Sequence, residues 1–222
     1  ALLKGKNDVT ISYDVKPDVS GNTGWTFFAA SNATKQEYGQ EHYVGVLDKT
    51  TGITVERYNN NDGKRDSSGN VSYTKTNADW KHVDIVISGA TAKLYIDSKL
   101  VAVNNNGQKL TDILGADGGV LQIGKANWVN GEYYTGALDN LKIYGSAHTA
   151  DQIKEAYDST KSDAAKADAN ALTINNGSTD VYSNITLPAK GSVNGSAITW
   201  KSSNAKVITD AADGDIAAGV VA

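Results

Sequence analysis

The sequence predicts a mostly β protein of short antiparallel strands, and three observations carry that expectation. Glycine is abundant (22 of 222 residues) and proline nearly absent (2). Asn, Asp, Ser and Thr fill the gaps between short apolar runs, the composition of many strands joined by tight turns. Several segments alternate apolar and polar residues at the period of a strand with one buried face. This length accommodates one large β domain, or a medium domain plus a smaller one, with a substantial core.

Val9, Ile11 and Tyr13 alternate with Thr10, Ser12 and Asp14 before the turn Lys16-Pro17-Asp18, giving a half-buried first strand. Trp25 to Ala29 is the second. The segments EHYVGVLD and ITVERYNNNDGK are two more, divided at Thr51-Gly52. Asp62-Gly63 is a strong turn signal because glycine accepts the positive φ of primed hairpin turns. The clearest hairpin is WKHVDIVISGATAKLYIDSKLVAV, in which Val83, Ile85 and Ile87 share one face and Leu94 and Ile96 return on it. The apolar Leu110 to Leu114 segment and the Asp117-Gly118-Gly119 turn lead into VLQIGKANWVNGEYYTGALDNLKIY, where a strand, an aromatic loop with its turn at Asn130-Gly131 and a closing strand follow one another.

Thr149-Ala150-Asp151-Gln152 has the form of a capping box, so a helix is expected to start there. Ile153, Ala156 and Tyr157 give it a stripe that can dock on the preceding domain. A second capped start at Ser162 precedes the Ala-rich DAAKADANAL, so residues 148–173 are a helical connector of one helix or two short ones. The pattern then returns to β through LTI, VYSNITLP, the Asn194-Gly195 turn and AITWKSSNAKVIT, with Trp200 and Ile198 on one core-facing row. Three regions are predicted: 1–147, a β sandwich; 148–173, the connector; and 174–222, a smaller β domain expected to be truncated, since a sandwich of ordinary size needs more strands.

Charge and residue usage exclude several functions. A net charge of -4 and a pI near 5.3, with no basic stripe, argue against a nucleic-acid binder. Without cysteine there are no disulfides and no thiolate metal sites. No apolar run approaches the roughly 18–20 residues needed to span a bilayer, and no signal segment opens the chain. A chain that starts within strand-like sequence and contains no methionine is expected to be a piece of something longer. Sequons at Asn32, Asn176, Asn184 and Asn194 are by-products of composition unless the source glycosylates secreted proteins.

Three segments, ADWKHVDIVISGATAKLYIDSKLV, LQIGKANWVNGEYYTGALDNLKIYG and SAHTADQIKEAY, together resemble the laminin-G-like, concanavalin A-like jelly-roll modules of bacterial carbohydrate-active proteins, in order and spacing as well as composition. Two departures stand out. Asp97-Ser98 occupies the place of the family's usual Asp-Gly turn, and most of the strands that normally precede DVTISYDVKP are missing, which would leave an exposed sheet edge. The later stretch NALTINNGSTDVYSNITLPAKGSVNGSAITWKSSNAKVIT resembles the first half of the atypical immunoglobulin-like repeats of secreted bacterial glycosidases. The resemblance implies an antiparallel β-sandwich jelly roll, a short helical connector and a partial immunoglobulin-like domain. It also implies a noncatalytic carbohydrate-binding region of an extracellular or cell-surface bacterial protein. Its linked catalytic domain would be a glycoside hydrolase acting on arabinose- or fructose-containing glycans. The competing expectation is a structural spacer or adhesion module with no sugar site.

Sugars present apolar C-H faces beside hydroxyl edges, so their sites pair an aromatic platform with a few charged or amide groups. Trp128, Tyr133 and Tyr134 near Asn127, with Glu41, Arg57 and Tyr58 from earlier strands, are the candidate ligand-binding residues. The plainer alternative is that the tyrosines pack and the Arg and Glu pair with each other. Trp25 and Trp80, at strand ends, are expected in core or rim packing. Asp139 shares a strand face with Leu141 and Ile143, so an inward carboxylate would need backbone N-H groups or one structural calcium ion. Nothing points to catalysis by this chain. Jelly-roll glycanases place acidic residues at i, i+2 and i+4 of one strand, and no such triplet occurs here. His42, His82 and His148 lack metal-ligand spacing, and no nucleophile elbow, phosphate-binding loop or dinucleotide fingerprint appears.

Overall fold

Val9, Ile11, Tyr13 and Val15 are buried along one face of β1 (Asp8–Pro17), as their alternation requires. The structure is a computed structural model and describes residues 1–18, 24–31, 42–59, 66–75, 77–127, 132–174, 184–209 and 220. Two compact units are present, Ala1–Tyr157 and Asp158–Ala222. In the first, β1 is joined by β2 (Trp25–Ala30), β3 (His42–Lys49), β4 (Gly52–Asn59), β5 (Val71–Thr74), β6 (Lys81–Ser88), β7 (Thr91–Ile96), β8 (Lys99–Asn104), β9 (Val120–Ile123) and β10 (Gly136–Tyr144). They form two five-stranded antiparallel sheets, sheet A in the order β10-β1-β6-β7-β8 and sheet B in the order β5-β4-β3-β2-β9.

Each strand contributes one row to a core between the sheets. Val83, Ile85 and Ile87 of β6 and Leu94 and Ile96 of β7 join the β1 row, facing Phe27 and Ala29 of β2, Val44 and Val46 of β3, and Ile53 and Val55 of β4. Each large side chain so buried contributes about 1.5–3 kcal/mol, which makes this period-2 pattern the main source of stability. The short helix α1 (Leu110–Leu114) closes part of that core with Leu110, Ile113 and Leu114. Asn7 holds it through Oδ1, which accepts from the Thr111 amide and hydroxyl at 3.0 and 2.9 Å. On sheet B the outer edge of β9 has no strand beside it among the described residues, and Val120 and Ile123 are exposed there.

The turn between β7 and β8 is of the primed kind, with Asp97 at φ 49° and Ser98 at φ 64°. The left-handed region costs an L-residue with a Cβ about 1–2 kcal/mol. Ser98→Gly is therefore expected to stabilise the domain by about 1 kcal/mol, read as a higher urea midpoint at unchanged slope. An unchanged or lower midpoint would contradict this.

Helix α2 (Ala150–Asn170) begins with the expected capping box: Gln152 N donates to Thr149 Oγ1 at 3.2 Å and Thr149 N to Gln152 Oε1 at 2.9 Å. Ile153 packs on Val86 and Tyr95 of the outer face of sheet A. The second start at Ser162 does not occur, because the Ala-rich segment carries one helix straight through. In the second unit, Asp168 organises the turn at residues 191–196. Its Oδ1 accepts from the amides of Val193 and Asn194, and Oδ2 from that of Ser196, all at 2.8 Å. These hydrogen bonds, the Ser196 ones first, hold the carboxyl well below the usual range. Trp200 lies outside any strand among the described residues and is half-buried, its indole N-H donating to the Pro188 carbonyl at 2.8 Å.

Candidate functional site: the outer face of sheet B

The two-residue turn Thr50-Thr51 sets the β3–β4 register, pairing Tyr43 with Tyr58 and Gly45 with Glu56. Since Val44, Val46 and Val55 face the core, Tyr43, Tyr58 and Glu56 face the other way. A bulge between Trp25 and Phe27 brings Trp25 round to join Phe28 on this outer face. The rings form a continuous layer. Trp25 meets Phe28 and Tyr43 edge-on at 5.1 and 5.8 Å, Phe28 stacks on Tyr43 at 4.7 Å, and Tyr58 meets Tyr43 at 5.1 Å. Gly45 makes the room, since a Cβ there would run into the Trp25 ring.

Polar groups border the layer. Tyr43 Oη donates to Glu56 Oε2 at 2.6 Å, Asn70 Nδ2 to Tyr58 Oη at 2.9 Å, and Trp25 Nε1 to Glu132 Oε2 at 2.6 Å. Glu132 belongs to a hairpin whose base is a bridge between Lys125 and Tyr133 and a 2.9 Å bond from Tyr134 N to the Gly124 carbonyl. Tyr133 is 60% exposed, with Lys125 Nζ 5.8 Å from its ring centre. An exposed phenol beside carboxylates and an ammonium can stack on one molecular face and hydrogen-bond around its rim.

The sequence-predicted residues divide on this geometry. Tyr58 lies in the ring layer, Tyr133 on its margin, and Asn127 is buried nearby next to Ala126. Tyr134 turns away: its ring packs on the inter-sheet core and its hydroxyl donates to the Ala137 carbonyl at 3.1 Å. Burial, then the Asp48 charge, pushes that phenol up. Arg57 also departs, because it follows Glu56 and precedes Tyr58 on a strand whose faces alternate. Its guanidinium is buried on the core side and donates to the carbonyls of Gly69 and Ala90, so it does not share a face with Tyr58. Glu41 and Trp128 lie outside the described residues, as do the turns at Asp62-Gly63 and Asn130-Gly131. Tyr43, Glu56 and Glu132 were not among the predicted site residues, while Trp25 is buried in the layer at 2% exposure, the packing expected of it. For Tyr43 and Glu56, counting back from the Thr50-Thr51 turn would have found them.

Asp139 is a correction. It is exposed, not inward, because the β1–β10 register shifts between Ser12 and Asp14 and Asn140, at φ 53°, inserts an extra residue. That bulge turns Leu138, Leu141 and Ile143 all toward the core and leaves Asp139 outside. Asp139 Oδ1 accepts from the Asn140 amide at 2.7 Å, and the opposite carboxylate, Asp14, is committed to His82 through Oδ1 and to Asn140 through Oδ2. No group of three or more His, Asp or Glu side chains among the described residues is arranged to hold a metal ion. Calcium needs several oxygen ligands, so the residues around Asp139 do not fit it.

Sheet A carries a cluster that the sequence did not reveal. His82 Nδ1 is 2.6 Å from Asp14 Oδ1, and its Nε2 is 3.3 Å from both Ser12 Oγ and Asp84 Oδ2. Ser12, His82 and Asp14 have the connectivity of a nucleophile relay, yet the second carboxylate changes the chemistry. Burial would lower the imidazole pKa, but the hydrogen bonds and charges of Asp14 and Asp84 outweigh it and raise it to about 9. An imidazolium cannot take the Ser12 proton at neutral pH, so the cluster is a buried charge balance.

Residues 1–154 match the family model described as the concanavalin A-like lectin/glucanases superfamily. The chain belongs to that superfamily. In this concanavalin A-like chain, residues 165–218 further match the atrophied bacterial Ig domain. An alpha-L-arabinofuranosidase of Bifidobacterium longum subsp. longum is 29% identical over 188 residues, which is 84% of this chain and 16% of that protein. The CBM40 of the Ruminococcus gnavus IT-sialidase superposes with a TM-score of 0.58 at 13% identity, over 70% of this chain and 85% of that one. A leech intramolecular trans-sialidase superposes with a TM-score of 0.52 at 16% identity, over 70% of this chain and 24% of that one. These two structural likenesses show the shared fold.

Proposed function

We propose that the chain is a noncatalytic glycan-binding accessory region of a secreted bacterial polysaccharide-degrading enzyme, with arabinose- or fructose-containing glycans as its ligands. The observation that carries this reading is the exposed Tyr133 ring at the margin of the aromatic layer, beside Glu132. A sugar ring laid on Tyr133 would place its hydroxyls against such carboxylates and amides. The arabinofuranosidase match supports it, since the aligned part is a small fraction of a long enzyme, as an appended module would be. Tethered to a hydrolase, even a weak site raises the enzyme's effective concentration at its substrate. No helix among the described residues is long and apolar enough to cross a membrane.

A second reading, a structural spacer or adhesion module, is favoured by one observation: Trp25, Phe28, Tyr43 and Tyr58 are at most 5% exposed, like a packed core. Calorimetric titration with arabinan, fructan and xylan oligosaccharides separates the two. The glycan reading expects saturable binding that Tyr133→Ala and Trp128→Ala each weaken by roughly tenfold, about the worth of one stacked ring. Heat release with none of these glycans, or unchanged affinity in both variants, would leave the spacer reading.

A further inference from the structure

Buried charges in proteins are paired, because an uncompensated one costs several kcal/mol. Arg57 breaks that pattern. It is 2% exposed, and among the described residues no carboxylate lies within ion-pair distance of it. A guanidinium has five N-H groups. Nε and Nη2 donate to the Gly69 carbonyl at 3.1 and 3.0 Å and Nη1 to the Ala90 carbonyl at 3.0 Å, which leaves two N-H groups unassigned. Burial lowers the group to about 10, so it is charged at neutral pH.

Arg57 also lines a polar cavity of about 20 Å³ with Asn59, Asp66, Ser68, Asn106 and Gln108. Gly107 seals one side, since a Cβ there would collide with the guanidinium, and its amide donates to the same Ala90 carbonyl at 3.0 Å. Size restricts the occupant to one water or a monatomic ion. The guanidinium is the full charge buried against the cavity, whereas Asp66, which also lines it, is exposed to solvent, so the interior favours an anion over a metal cation. Asp66 is exposed and accepts from the Ser68 amide at 2.8 Å through Oδ1, so it does not neutralise Arg57 directly.

We propose that this cavity binds a single halide ion, chloride in ordinary solution, as the counter-ion of Arg57. The donors suit it: unassigned guanidinium N-H groups, the side-chain amides of Asn59, Asn106 and Gln108, and the Ser68 hydroxyl. The ion would tie β4, the 66–70 turn and the 104–109 loop together. The site lies on the core side of β4, so it is independent of the glycan reading.

Thermal unfolding of the 222-residue chain at constant ionic strength, in sodium chloride or bromide against sodium gluconate, tests this. The expected result is a saturable rise in Tm of roughly 2–4 °C with halide, and an anomalous bromide peak in the cavity in crystals. Asn106→Asp, which builds a carboxylate counter-ion into the cavity, is expected to abolish the halide dependence. Equal Tm in chloride and gluconate, the same halide response in Asn106→Asp, or no bromide peak would overturn the proposal. Should Asn106→Asp not fold, the bromide peak in the unaltered chain decides.

Discussion

Lys75→Met is expected to destabilise the sandwich by about 3–5 kcal/mol, because it leaves the Asp48 carboxylate buried without its cation. Lys75 Nζ donates to Asp48 Oδ1, and both side chains are fully shielded from solvent. Oδ2 of Asp48 has no hydrogen-bond partner among the described residues, so the ammonium is its principal compensation. Burial raises the Asp48 carboxyl from 3.8 to about 6, against the opposing pull of the Lys75 charge. The folded state therefore holds this proton more tightly than the unfolded chain does. The stability Asp48 brings is full below pH 4 and is lost as pH rises through about 6. Without Lys75 only the Tyr13 hydroxyl opposes burial and the proton is held to higher pH, so the loss in Lys75→Met should grow from pH 5 to pH 8. Asp48→Leu combined with Lys75→Met removes both charges and should recover most of the stability. Urea unfolding of the single and double variants at the two pH values measures this. A loss below about 1 kcal/mol in Lys75→Met would mean that water reaches the pair.

What the sequence revealed and what it hid follow from how local each signal is. The rows Val9, Ile11, Tyr13 and Val83, Ile85, Ile87 were legible because a strand's period of 2 is written in consecutive residues. The capping box at Thr149 and Gln152 was legible for the same reason. Pairing was not, since β1 lies between β6 and β10, strands remote from it in sequence and specified by packing alone. Bulges were the second blind spot. A single extra residue reverses every side chain beyond it, so strict alternation placed Asp139 with Leu141 on the core face, and the bulge at Asn140 put it in solvent. The bulge after Trp25 puts that ring, expected in core or rim packing and found buried, on the outer face of sheet B. Arg57 and Tyr58 were both candidates for one site, yet adjacent strand residues point to opposite faces.

His82→Ala is expected to cost about 2–4 kcal/mol at pH 7, and to remove an alkaline transition that the unaltered chain shows. Asp84 is 2% exposed, and its Oδ2 is paired with His82 Nε2 at 3.3 Å. Removing the imidazolium takes the paired cation from the Asp84 carboxylate beneath the start of α2, where the Tyr157 ring lies 5.4 Å from His82. The groups around the imidazole are Asp14 of β1, Asp84 of β6, Tyr95 of β7, Tyr157 of α2, and Asp97, which accepts from the His82 amide and pairs with Lys81. The carboxylates beside the ring outweigh burial and raise it from 6.5 to about 9, so the folded state binds the proton more tightly than the unfolded chain. Its stabilisation is complete below pH 6.5 and is lost as pH rises through about 9, amounting to roughly 1–3 kcal/mol once solvent screening is allowed for. Unfolding free energies across pH 6–10 should fall over that window in the unaltered chain and stay flat over it in His82→Ala. Amide exchange at the first two turns of α2 should quicken in parallel, because Ile153 and Tyr157 rest on this part of sheet A. Equal pH dependence in both proteins would mean that His82 is neutral in the fold and that Asp84 is balanced by another group.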